Sequence, residues 1–228
     1  NFALLLPQQS KANNIKQCFN WFSAPDTDRD KGETLSLKNM IASTKKTLGA
    51  DKVYIAGLSA GGAMASSMLV NYPEQFNGGA VIAGLPYPCA DSLIKAISCM
   101  RTGPSQSADE LATLARKTSP NISKWPPLYV ITGSSDNVVN ADNSARLAQQ
   151  WAQLSSLKSL SMSKQKNADV MQWVGDNKKA HIKLVTITNM DHGLSVNPDV
   201  KGGGVVAPFL PKAQLSAAQD IVDFWQLN

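Results

Sequence analysis

Cysteine and histidine are scarce in this chain, three and two among 228 residues. There is no C-x-x-C pair and no H-E-x-x-H pattern, so neither a metal site nor any other cofactor is expected. Charge is sparse too, at 17% of residues with a net charge of +5. Lys45-Lys46 and Lys178-Lys179 are isolated pairs rather than a basic run, which argues against a nucleic-acid partner. No apolar stretch approaches the roughly 20 residues of a membrane-spanning helix. The first residue is Asn1, no signal-peptide pattern follows it, and the chain is expected to be processed or trimmed. No internal repeat or linker divides it. A hydrophobic content of 43% over this length suits one catalytic α/β domain over residues 1–228. The low charge is more typical of a secreted or periplasmic protein than of a cytosolic one. In an oxidising compartment Cys89 and Cys99, which flank a polar loop, are expected to pair, leaving Cys18 over.

The chain is organised around residues 53–65. Val53-Tyr54-Ile55-Ala56 reads as a buried strand, Gly57-Leu58-Ser59-Ala60-Gly61 as a sharp turn, and Ala60 to Asn71 as a helix. A G-x-S-x-G turn between a strand and a helix is the setting of an activated serine. The tight turn holds Ser59 in a strained conformation with its hydroxyl clear of the sheet. Gly57 and Gly61 are expected to lack side chains because strand and helix approach closely. The Ala60 N–H, at the positive end of the helix, is placed to meet an oxyanion. The alternative is a glycine-rich turn in an ordinary α/β domain.

Taken in order, Phe2 to Pro7 reads as a buried strand and Gln8 to Gly32 as a long polar loop. Within that loop Trp21 and Phe22 either serve the site or pin the loop to the core. A helix over Leu37–Leu48, capped by Thr34 or Ser36, stops at Gly49. Strands are expected over Gly79–Ala83 and Pro127–Thr132, and helices over Ala108–Lys117, from Asn140 or Asp142 to about Leu157, and over Leu215–Trp225. Lys158 to Asn167 reads as irregular. Val170–Val174 and His181–Ile187 form a hairpin turning at Gly175-Asp176-Asn177. Strands alternating with helices predict a mostly parallel sheet.

In such a sheet the active groups follow the C-terminal ends of strands. Ser59, Asp136 and His192 all do. Their order along the chain is that of α/β-hydrolases, with His192 as base and Asp136 orienting it. His181 is a weaker base because it begins its strand. Asp142 reads better as a helix cap, and Asp191 is too near His192 in sequence to reach the ring.

These residues resemble the extracellular polyhydroxybutyrate depolymerase-type esterases, which adjoin feruloyl and acetylxylan esterases. The likeness rests on Cys18-Phe19-Asn20-Trp21-Phe22 (Phe19 in place of the usual Trp), on Gly57 to Ala65, and on Gly84-Leu85-Pro86-Tyr87. Gly133 to Val139, Met190 to Gly193, and the closing Phe209-Leu210 and Phe224–Leu227 complete it. The resemblance implies a serine hydrolase of hydroxyacid oligomers or short acyl esters, with Trp21, Leu58 and Tyr87 as substrate contacts. The chain ends directly after its last helix with no substrate-binding domain, which favours soluble oligomers over crystalline polymer. A carbohydrate esterase and a hydrolase-fold binding protein without activity are the competing readings. The family's counterpart of Cys18 is bridged to a cysteine in an H-G-C loop that this sequence lacks. In α/β-hydrolases that loop follows a strand lying between the first strand here and the nucleophile strand. The N-terminal strands are therefore expected to be missing, with an N-terminal segment or a second chain completing the domain.

Overall fold

The computed structural model describes residues 2–175 and 179–227. Its centre is a six-stranded sheet built from β1 (Tyr54–Leu58), β2 (Gly78–Ile82), β3 (Leu128–Gly133), β4 (Leu160–Gln165), β5 (Ala168–Val174) and β6 (Ala180–Ile187), in the order β1-β2-β3-β6-β5-β4. β1, β2, β3 and β6 run parallel, and β5 and β4 close one side antiparallel. This is the mostly parallel α/β architecture expected from the alternation of strands and helices. Of the expected hairpin turn, Asp176 and Asn177 lie outside the described residues.

Helices cover both faces: α1 (Ala24–Thr27), α2 (Gly32–Leu48), α3 (Ala60–Asn71), α4 (Leu93–Thr102), α5 (Ala108–Thr118), α6 (Asp142–Leu154) and α7 (Ala217–Phe224). Side chains alternate across a strand, and two cores result. Leu128, Val130, Ile182 and Leu184 face α3 and α6, where they meet Met68, Leu69 and Trp151. Tyr129, Ile131, Val185 and Ile187 face Ala217 and Ile221 of α7. α3 is buried from Gly62 to Asn71, as its Ala, Met, Leu and Val content demands of a helix apolar all round. Lys183 falls on the α7 side by the same alternation. Its ammonium bonds both carboxylate oxygens of Asp220 at 2.9 and 2.7 Å, and the Tyr129 hydroxyl donates to the same carboxylate. Neutralisation inside the core is what allows a lysine on an inward strand position.

Four sequence expectations are corrected. Phe2–Pro7 forms no strand, and Phe2, Leu4 and Leu6 are exposed. Among the described residues the apolar run has no neighbouring strand to pair with, and β1 is hydrogen-bonded only to β2. α2 starts at Gly32 rather than Leu37, and the Thr34 hydroxyl donates back to Asp28 and Lys31 carbonyls instead of capping. Residues 160–165 form the edge strand β4, exposed throughout, whose Ser, Lys and Gln conceal the pattern a half-buried strand would show. The loop between Cys89 and Cys99 contains α4, started by Ser92, whose hydroxyl accepts the Lys95 N–H. Cys89 and Cys99 are disulfide-bonded with Cα atoms 6.4 Å apart, and Cys18 is an exposed thiol.

Candidate active site

Ser59 sits between β1 and α3 with φ 57° and ψ −120°, a backbone region that non-glycine residues rarely occupy. Its N–H is held by the Ile82 carbonyl at 2.9 Å, and its own carbonyl accepts from Ala63. The elbow is thus tied to β2 on one side and to the first turn of α3 on the other. The strand and helix do approach closely, but the second glycine this requires is Gly62. A Cβ on Gly57 would lie 2.0 Å from the Gly61 carbonyl oxygen, and one on Gly62 would meet Gly57 and Ile82 carbonyls at 2.9 and 3.1 Å. A Cβ on Gly61 would meet nothing within 4 Å, because helical phase turns that position outward. Gly57→Ala is therefore expected to destabilise by about 3 kcal/mol or more through overpacking, and Gly61→Ala to be neutral or stabilising by up to about 1 kcal/mol. Urea unfolding of the two variants checks the contrast.

Asp136 lies in the turn after β3. Its Oδ1 accepts the Val138 and Val139 N–H groups at 2.9 and 2.8 Å, and its Oδ2 faces His192 Nδ1 at 2.8 Å. The two side chains are 0% and 6% exposed. Burial alone would raise the Asp136 carboxyl, but the His192 ring and the two amides outweigh it and hold the group below its ordinary value. With Nδ1 donating to the carboxylate, the remaining ring nitrogen, Nε2, is the acceptor. Among the described residues the hydrogen bonds of the site join Asp136 to His192, and none joins the Ser59 hydroxyl to the ring.

The Asp136 and His192 turns are laced together. Ser134 N–H donates to Ile187, Ser135 N–H to Met190, and Asn189 N–H to the Ser134 hydroxyl. Gly133 lets the turns meet, since a Cβ there would stand 2.0 Å from the Met190 carbonyl oxygen. Asp191 accepts the N–H groups of His192 and Asn137 at 2.7 and 3.5 Å, so it bridges the two turns and does not touch the ring. Asn140, not Asp142, takes the first free amide of α6. His181 lies at the start of β6, away from His192, and its burial lowers its pKa.

Of the expected substrate contacts, Trp21 is half-buried and packs against the cluster formed by Ala63, Leu85, Cys89, Cys99, Leu111 and Val139. Leu58 is half-buried beside the α7-side core. Tyr87 is packed into the core on the α3 side at 8% exposure, and its carbonyl accepts the Gln150 side-chain amide at 2.8 Å. The Ala60 amide opens α3, where the first helical N–H groups have no partner within the helix. Sequence reading missed Phe209, whose ring stands edge-on to His192 at 6.3 Å and is 65% exposed. Phe209-Leu210 enters the family resemblance, but nothing in its local sequence places the ring beside His192. Among the described residues no group of three or more His, Cys, Asp or Glu side chains could hold a metal ion, and no helix is long and apolar enough to cross a membrane.

The chain is similar to poly(3-hydroxyalkanoate) depolymerase C of Paucimonas lemoignei, 34% identical over an alignment of 215 residues that covers 86% of this chain and 49% of that protein. It is also similar to feruloyl esterase B of Talaromyces funiculosus, 26% identical over an alignment of 166 residues that covers 68% of this chain and 46% of that one. The chain spans about half the length of these curated relatives. Among solved structures, acetyl xylan esterase from Aspergillus awamori shares the fold with a TM-score of 0.74 at 20% identity, over 93% of this chain and 74% of that one. The family model described as esterase PHB depolymerase matches residues 1–168. Its span takes in the Cys18–Phe22 loop, the Ser59 elbow and the Asp136 turn, and with the depolymerase relative it shows that the chain belongs to the esterase PHB depolymerase family.

Proposed function

We propose that these residues form the catalytic unit of a serine carboxylic-ester hydrolase acting through Ser59, His192 and Asp136. The reading is carried by the buried Asp136–His192 pair, 2.8 Å apart, on turns at the same sheet edge from which the strained Ser59 projects. Ser59 Oγ attacks the ester carbonyl carbon as its proton passes to His192 Nε2. The Ala60 amide donates to the oxyanion. Collapse breaks the carbon–alkoxy bond, and the alcohol leaves with the proton from His192. Water then repeats the sequence on the acyl-enzyme, so that ester and water give acid and alcohol.

Hydroxyacid oligomers or short acyl esters are the favoured substrates, since the depolymerase relative has the higher identity over the larger share of the chain. Feruloylated or acetylated carbohydrate is the second reading, supported by the name of the feruloyl esterase relative. The Cys89–Cys99 bridge favours secretion, because disulfides persist outside the reducing cytosol. A fluorophosphonate is expected to add to Ser59, as read by peptide mass, and unlabelled Ser59 would leave a binding protein on a hydrolase fold. Hydroxybutyrate oligomers are expected to be cleaved faster than feruloylated or acetylated sugars, and the opposite order would assign the chain to carbohydrate esters.

A further inference from the structure

Glu33 stands in the first turn of α2 at 8% exposure, and no step of ester hydrolysis uses it. A carboxylate so buried must be met by several donors. Its Oε1 accepts from the side-chain amides of Gln9, Asn13 at 2.8 Å and Asn20 at 2.9 Å, and its Oε2 accepts the Asn20 backbone N–H at 2.8 Å. All four donors are neutral and all belong to one irregular segment, residues 9–20. Asn14 extends the web, donating to the Asn20 side-chain oxygen at 2.8 Å and accepting the Lys16 N–H at 2.9 Å. Burial pushes the Glu33 carboxyl up, against the pull of these donors, which shows what enclosing the group costs.

The web ends at Asn20, and the next residue is Trp21. Trp21 packs edge-on against Phe22 and lies on the cluster of Ala63, Leu85, Cys89, Cys99, Leu111 and Val139. That cluster touches both halves of the site. Ala63 N–H is bonded to the Ser59 carbonyl, and Val139 N–H to the Asp136 carboxylate. Trp21 lies between the segment that Glu33 grips and the start of α1, and the turn that carries it is closed by Ser23 N–H on the Asn20 carbonyl at 2.9 Å.

We propose that Glu33 is a positioning residue that fixes the Trp21 wall of the substrate site by gripping Asn20. It acts on substrate binding rather than on the chemical step. The proposal rests on the esterase reading above.

The test measures KM and kcat on nitrophenyl butyrate for the whole chain, its Glu33→Gln and Trp21→Ala variants and the double variant, with hydrogen exchange of residues 9–20 in each. Glutamine turns an amide N–H₂ toward at least one donor, so Glu33→Gln is expected to speed exchange in residues 9–20. It should raise KM about tenfold, a loss of about 1.4 kcal/mol, with kcat little changed. In the Trp21→Ala background the same substitution is expected to add nothing to KM, because the element it acts through is gone. Faster exchange with an unchanged KM, or additive KM effects in the double variant, would overturn the proposal. Should Glu33→Gln fail to fold, Gln9→Ala and Asn13→Ala each remove one donor and are expected to raise KM in smaller steps; no rise in either would equally overturn it. Absence of both turnover and fluorophosphonate labelling in the unsubstituted chain would instead sink the esterase reading, while the exchange data would still report on the grip of Glu33 on the loop.

Discussion

Ser59→Ala is expected to lower ester hydrolysis by a factor on the order of 10⁵ to 10⁶, the loss seen when a triad nucleophile is removed. The fold should survive, because the hydroxyl lies at a turn tip and the contacts that hold the elbow are main-chain ones. The Ser59 N–H to Ile82 and the Ala63 N–H to Ser59 remain available to alanine. The φ of 57° strains alanine and serine alike, so no strain is released. His192→Ala is expected to lose nearly as much activity, since the remaining oxyanion donor and substrate binding then act alone. Residual turnover on a nitrophenyl ester, beside thermal unfolding of each variant, decides the matter. Activity within a factor of about ten of the parent would remove Ser59 from the mechanism.

The second large effect is expected at Asp136→Asn, about 10⁴ in turnover. The geometry gives the reason. Oδ1 is committed to the Val138 and Val139 amides, so an asparagine keeps its carbonyl oxygen there and turns its N–H₂ toward the ring. His192 Nδ1 must then accept, its proton moves to Nε2, and Nε2 can no longer take the Ser59 proton. Asp191→Asn is the control. Its carboxylate only accepts backbone N–H groups, which an amide oxygen does as well, so turnover should stay near that of the parent. The reverse ranking would transfer the acid role to Asp191. Because the folded-state pKa of Asp136 is lowered, its ionisation stabilises the fold fully above the unfolded carboxyl value near 3.9 and loses that contribution as pH falls through the lower folded value. Asp136→Asn should therefore flatten part of the loss of stability in acid, as measured by unfolding between about pH 5 and pH 2.

Local sequence carried the central strands and helices because their chemistry is local. α3 begins and ends where its Ala- and Met-rich run does, at Ala60 and Asn71, and Gly49 stops α2 in the left-handed conformation that glycine favours. Ser59, Asp136 and His192 were legible as residues at strand ends. What their spacing could not give was the orientation of the carboxylate, with one oxygen on two amides and the other on the ring. Nor could it show Asp191 as the bridge between turns, or Phe209 beside the imidazole, since these meetings join residues far apart in the chain.

The failures have the same origin. By hydrophobicity Phe2–Pro7 reads as strand and Lys158–Asn167 as irregular; the structure reverses the first and makes residues 160–165 of the second a strand. A strand exists through its neighbour. Residues 160–165 pair in register with β5 and need no buried face, whereas among the described residues the apolar N-terminal run has no strand beside it. The choice of Gly62 over Gly61 at the elbow follows from helical phase relative to a strand. The role of Glu33 follows from a loop folding back over a helix start. By itself the sequence determined the elbow, the placing of Ser59, Asp136 and His192 after strand ends and the parallel alternation of strand and helix, all set by short-range backbone preference and side-chain periodicity. Only the tertiary structure decided which edges pair, which glycines face a carbonyl and which carboxylates are enclosed, because each depends on what a distant segment places within a few ångströms.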